Sequence, residues 1–200
     1  MPAATPRQDN RRQPLLDAAA GLFRSRGFHA SSMRDIARAA GMLPGSVYYH
    51  FDSKEALLVA VYAEGVERIC QAVDGAVTAC GAGADGRTRL AAACRAHLEV
   101  LLDESDYAQV VIRVLPEDVP AAGSALAALR DDYEGRFRTL VEVLTLPEGM
   151  DPGHLRRLLL GGLNWSRHWY QPGGDSPARI ADAMLDCLRI PHTGPGGRTP

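Results

Sequence analysis

Residues 31–57 read SSMRDIARAAGMLPGSVYYHFDSKEAL, and this stretch decides the fold. Ile36, Ala37 and Ala40 recur at helical spacing, so residues 33–40 are predicted to form a short helix. Ser31 or Ser32 opens it, and Asp35 stands in the first turn, where a carboxylate suits the positive end of the helix dipole. Gly41 stops it. Pro44 then brings the preset dihedral of a first helical position, and a second short helix is predicted over 44–51. Val47 and Phe51 are four apart and face inward, which leaves Ser46, Tyr48, Tyr49 and His50 to face elsewhere. Asp52 or Ser53 opens a long helix that starts at Lys54 and runs into the 70s, with Leu57, Leu58, Val61 and Ile69 on its core face.

A helix, a turn opening on glycine, and a second helix carrying hydroxyls and rings form a helix-turn-helix pattern. Gly45 is small where a backbone would approach DNA. Ser46, Tyr48, Tyr49 and His50 are groups that reach phosphates and thymine methyls. The competing reading makes Tyr48 and Tyr49 ordinary packed aromatics of a helical bundle.

Before this stretch, Leu15, Ala19, Leu22 and Phe23 share one face of a first helix over 12–26, which Gly27 ends. Phe28 is expected to fold back on that face. Beyond residue 80 the apolar spacing stays helical, over 88–102, 105–115, 124–146, 152–170 and 177–188, with Pro or Gly at the breaks. The prediction is an all-α chain of about nine helices. Residues 1–10 read as a flexible arm and 191–200 as a disordered tail.

The 200 residues are 46% hydrophobic and 23% charged, a composition that excludes a disordered chain, a collagen-like fibre and a disulfide-rich mini-protein. The formal net charge of −2 hides an uneven division. Residues 1–55 carry 8 Lys+Arg and 5 Asp+Glu, net +3, and residues 56–200 carry 14 and 19, net −5. Lys54 is the sole lysine among the 22 cations. No apolar leader or spanning run occurs, so a cytoplasmic chain without membrane contact is expected. Cys70, Cys80, Cys94 and Cys187 lack paired-motif spacing and read as free thiols.

The stretch resembles the DNA-binding signature of the TetR family of transcriptional regulators. Its G-x-x-x-G-x-x-Y-x-x-F-x-x-K-x-x-L frame is met by Gly41, Gly45, Tyr48, Phe51, Lys54 and Leu57. The match covers about residues 12–60. The resemblance implies a helix-turn-helix domain over 11–55 and an effector-binding and dimerisation domain over 56–190. It places Ser32 and Met33 on the phosphate backbone and Arg34 toward base edges. It sets Pro44, Gly45 and Ser46 against the major groove, Tyr48, Tyr49 and His50 on backbone and bases, and Lys54 on a phosphate. Leu43 departs from the pattern, standing where the family commonly has a Ser or similar capping residue.

The resemblance also implies a homodimer on a palindromic DNA operator, with the last two long helices forming an intersubunit bundle. Leu155, Leu158, Leu159, Gly162, Trp165, Ser166 and Trp169 recur at three- and four-residue steps there, and Met184, Leu185 and Leu188 follow on the next helix. The alternative is an intramolecular core. An effector pocket is expected from Leu98, Leu101, Leu102, Tyr107, Val110, Val111, Val114, Phe137 and Asn164, any of which could equally be plain core. Residues 164–174, NWSRHWYQPGG, resemble a subset answering to acyl-coenzyme A thioesters, with Arg113, Arg156, Arg157 or Arg167 near the phosphates. The family usually represses, and effector binding releases the operator.

Two other functions stay open. One is a thiol-based redox sensor on the same scaffold, which needs a low-pKa thiolate beside cations. The other is a small helical enzyme. The six histidines form no H-x-x-x-H, no phosphate-cradling glycine loop is present, and no metal or cofactor is expected.

Overall fold

The computed structural model describes residues 11–103 and 105–188. The predicted arm at 1–10 and tail at 191–200 lie outside them. Among the described residues there are nine α-helices and no strand: α1 Arg12–Arg26, α2 Met33–Ala39, α3 Pro44–His50, α4 Lys54–Ala79, α5 Gly86–Leu102, α6 Asp106–Arg113, α7 Gly123–Glu142, α8 Pro152–Trp165 and α9 Pro177–Cys187.

Local chemistry explains most of the boundaries. Ser32 accepts from the Asp35 N–H and donates to its carboxylate, which starts α2. Ser53 accepts from the Ala56 N–H at the start of α4. Asp85, Asp151 and Ser176 do the same for α5, α8 and α9. Ser31, the other candidate opener of α2, is buried and donates to the Gly27 carbonyl at 2.8 Å. Gly27 and Gly41 follow α1 and α2 with φ of +83° and +63°, the left-handed region where a glycine escapes the Cβ penalty.

Three later boundaries differ from expectation. α6 stops at Arg113, because Pro116 follows and Pro116–Asp118 winds as a 3-10 turn. α7 stops at Glu142, and Leu144 then lies against Gly86, where a Cβ would come within 2.9 Å of its methyl. α8 tightens after Trp165 into a 3-10 turn over Ser166–His168. Ser166 is buried there and donates to the Leu163 carbonyl at 2.6 Å.

The chain divides into two compact units, and the division does not follow residue 55. The first holds the described residues up to Val66 together with Asp106–Leu129. α6 joins it because its side chains pack and pair with α1. The Tyr107 hydroxyl donates to Asp17 at 2.6 Å, and Asp106 pairs with Arg24 at 2.7 Å. Gly65 of α4 lets α6 approach closely: a Cβ there would lie 2.6 Å from Val111 Cγ2 and 2.8 Å from the Tyr107 carbonyl oxygen.

The second unit holds Glu67–Ser105 and the chain from Arg130. α5 packs on α9, tied by Arg95 to Asp182 at 2.7 Å and Arg87 to Asp186 at 2.5 Å. Its interior contains a polar network. The Tyr133 hydroxyl meets His97 Nδ1 at 2.6 Å, and His97 Nε2 meets Asn164 Oδ1 at 3.1 Å. Tyr133 stacks on the His97 ring, and Phe137 meets it edge-on. Burial pushes the imidazole pKa down to about 4. The ring is therefore neutral, with Nε2–H donating to Asn164 and Nδ1 accepting from Tyr133.

Candidate DNA-reading site

α3 is a short helix with a single buried side chain, Val47. Everything else on it faces out or half out. Tyr48 is 54% exposed and Tyr49 69%, so these rings are not packed aromatics of the bundle. Pro44, Gly45 and Ser46 are also exposed, and a Cβ added at Gly45 would meet nothing. Among the described residues nothing crowds α3 at Gly45. His50 is half-buried, with its ring edge-to-face against Tyr49 at 5.5 Å.

The supports of α3 come from its neighbours. Val47, Phe51, Met42 and Ile36 are buried together in the first unit's core. Phe51 closes α3 by donating its N–H to the Val47 carbonyl, and the Arg12 guanidinium lies 5.5 Å from the centroid of its ring. α3 is thus a helix held by its base and bare on its outer face.

On α2, Ser32 and Arg34 are exposed as expected. Met33 is corrected: its side chain is buried and belongs to the core. Only its backbone at the start of α2 remains for a phosphate. Ser32 has a second task, since its hydrogen bond holds the Asp35 carboxyl below the usual range.

Lys54 also takes a role that spacing did not reveal. The resemblance places it on a phosphate. In the structure its ammonium donates to the carbonyl oxygens of Phe28 and Ser31, both at 2.9 Å. It stands 4.3 Å from the Phe28 ring centroid. Two of three ammonium N–H groups thus hold the turn between α1 and α2. No signal in sequence could have shown this, because the acceptors are backbone atoms 26 and 23 residues earlier.

The nine residues assigned to a pocket are divided. Tyr107, Val110, Val111 and Val114 are buried in the first unit, and the Tyr107 hydroxyl is engaged by α1. Leu98, Leu101 and Phe137 are core of the second unit, with Asn164 bound to His97. Leu102 is half-buried and lines a surface hollow of about 440 Å³ beside Tyr170 and Pro177. Of the arginines expected near phosphates, Arg113 donates to the Arg24 carbonyl and Arg156 pairs with Glu134. Arg157 is exposed.

The residues assigned to a dimer face also separate. Leu155, Leu159, Ser166 and Leu185 are buried within the second unit, where the alternative of an intramolecular core has them. Leu158, Trp165 and Trp169 are 67%, 63% and 49% exposed. Leu158, Leu159, Gly162, Trp169, Met184 and Leu188 line an apolar hollow of about 380 Å³ between α8 and α9.

Among the described residues, no group of three His, Cys, Asp or Glu is placed to hold a metal ion. No described helix is long and apolar enough to cross a membrane. The redox alternative finds no support. Burial pushes the Cys94 thiol up, and Cys70 up to about 11, away from thiolate chemistry.

Comparison with known proteins agrees with this geometry. Residues 15–61 match the family of bacterial regulatory proteins of the tetR type, and residues 83–189 match the tetracyclin repressor-like C-terminal domain. The HTH-type transcriptional repressor KstR2 of Rhodococcus jostii (strain RHA1) is 32% identical, covering 92% of this chain and 94% of that one. The HTH-type transcriptional activator FasR of Mycolicibacterium smegmatis is 27% identical, covering 81% and 73%. The crystal structure of AibR in complex with isovaleryl coenzyme A and operator DNA superposes with a TM-score of 0.77 at 25% identity, covering 91% of this chain and 100% of that one. A helix-turn-helix carried by an all-helical chain defines a DNA-binding transcriptional regulator. This chain belongs to the TetR family.

Proposed function

We propose that this regulator binds a palindromic operator as a homodimer, represses from it in the cytoplasm, and leaves it when a small hydrophobic effector binds. The chain acts by occupancy of DNA and not as a catalyst. The observation that carries this reading is the bare outer face of α3, where Tyr48 and Tyr49 project beside the open Gly45. Ser32, Arg34, Pro44, Ser46 and His50 complete the contact set, with Lys54 offering its remaining N–H.

Dimerisation is supported by the apolar patch of α8 and α9. Leu158 and Trp169 are exposed on the lining of this hollow and Trp165 is exposed on the same helix as Leu158, a clustering of large apolar groups unusual on a monomer. Two recognition helices must also reach successive major grooves, about 34–36 Å apart, to read a palindrome. An effector that prefers another subunit geometry removes that match by shifting the population.

For the effector we infer an acyl-coenzyme A thioester, on the likeness to AibR with its bound isovaleryl coenzyme A. Arg157 remains available for phosphates.

The test is binding of selected DNA, followed by release with a panel of acyl-coenzyme A thioesters. Tyr49→Ala is expected to weaken operator binding about tenfold or more without lowering the melting temperature. Unchanged affinity overturns the assignment of α3, and absence of any thermal shift with the panel overturns the effector class.

A further inference from the structure

Leu43 is the most exposed large apolar side chain among the described residues, at 76%. It sits in the turn between α2 and α3 with extended backbone, φ −72° and ψ 143°, and no side-chain cap. Neither property contributes to folding. A Ser, Thr, Asp or Asn at this position would satisfy an amide of α3, and leucine does not. Its apolar surface stays in water, so it gains nothing from burial. The core does not need it either, because Met42 before it and Val47 after it already fill the inner side.

What Leu43 does is extend the bare face of α3. Pro44, which has no N–H to offer, follows it and is exposed as well. An apolar tip therefore stands at the N-terminal end of α3, the end from which a recognition helix reaches base edges, ahead of the exposed Pro44, Gly45 and Ser46. In the major groove, bases present donors, acceptors and one apolar group, the C5-methyl of thymine. A leucine cannot satisfy a donor or an acceptor, and so it fits the methyl.

We propose that Leu43 is a specificity-determining residue that reads the C5-methyl group of a thymine in each half-site. The proposal rests on α3 as the DNA-reading helix. It makes the selectivity of this chain depart from that of relatives carrying a hydroxyl residue here.

The experiment replaces each operator thymine in turn by deoxyuridine, which removes the methyl and leaves every hydrogen-bonding group in place. Binding is followed by fluorescence anisotropy for the full chain, Leu43→Ser and Leu43→Ala. One thymine per half-site is expected to lose about fourfold in affinity on replacement, the value of one buried methyl-sized group. Both variants lose the same factor on the thymine operator and are indifferent to deoxyuridine. Leu43→Ser keeps or raises the melting temperature, because serine restores a cap, so its loss of selectivity is not loss of fold. Equal sensitivity of the variants and the wild type to deoxyuridine overturns the proposal, since another residue then reads the methyl. Insensitivity of the wild type at every thymine overturns it as well. If the wild type retains no DNA at all, the reading of α3 falls and the proposal with it.

Discussion

The ammonium of Lys54 is bonded to the backbone of Phe28 and stands over its ring, 2.9 Å from the carbonyl oxygen and 4.3 Å from the ring centroid. The first turn of α4 is thereby fastened to the turn that follows α1. Gly27 and Ser31 shape that turn, and α2 starts from it. Lys54 thus positions the helix-turn-helix from behind.

Lys54→Met should therefore lower stability as well as DNA affinity. Hydrogen bonds from a charged donor contribute about 1.5–3 kcal/mol, so a loss near 2 kcal/mol is expected in urea unfolding. The affinity loss should be similar for all DNA sequences. The slope of log K against log salt should fall by less than the roughly 0.9 of a full phosphate contact. A full drop with unchanged unfolding would return Lys54 to a purely phosphate-binding role.

Gly65→Ala should destabilise the first unit. The added Cβ would lie 2.8 Å from the Tyr107 carbonyl oxygen, a backbone atom that cannot rotate away. Overpacking of this kind costs about 1–3 kcal/mol. Thermal melting reads it, and an unchanged midpoint would mean that α6 shifts freely along α4.

Acid should weaken the second unit before its carboxylates titrate. His97 has its pKa lowered from the ordinary 6.5 to about 4. Between these values the unfolded chain takes up a proton that the folded chain refuses. The contribution is thus fully present above the unfolded value and is lost as pH falls toward 4. Stability at pH 5 should be about 2 kcal/mol lower than at pH 7. His97→Gln, which does not titrate, should flatten the profile in this window, and an equally steep profile in the variant would exclude His97 as its source.

Leu158→Glu tests the apolar patch. Leu158 is 67% exposed, so a charge there leaves the fold of the chain intact. It should convert a dimer into the 21.5 kDa monomer in analytical ultracentrifugation and weaken operator binding. A dimer that survives the substitution would place the interface elsewhere.

The short helices and their stops were legible because their causes are local. Ser32, Pro44, Ser53 and the two glycines after α1 and α2 act on neighbouring backbone groups, within a few residues of themselves. The outward face of α3 was legible for the same reason, since Val47 and Phe51 take the inward positions. Met33 was misplaced because family position locates a backbone, while the rotation of α2 buries its side chain. The bond from Tyr107 to Asp17 was not legible, because the two lie 90 residues apart. Apolar periodicity shows that a residue is inward, but not which element it meets.

Caps, breakers and spacing operate over a single turn, and they suffice for an all-helical chain with a helix-turn-helix near its start. Which of those side chains remain available depends on how the helices pack. That packing put Lys54 on the Phe28 and Ser31 carbonyls and Met33 in the core. It set Tyr107 against α1 and His97 between Tyr133 and Asn164, and left Leu43 in water. These outcomes depend on long-range contacts, and a side chain's free donors and exposed surface are what remains after such contacts are made.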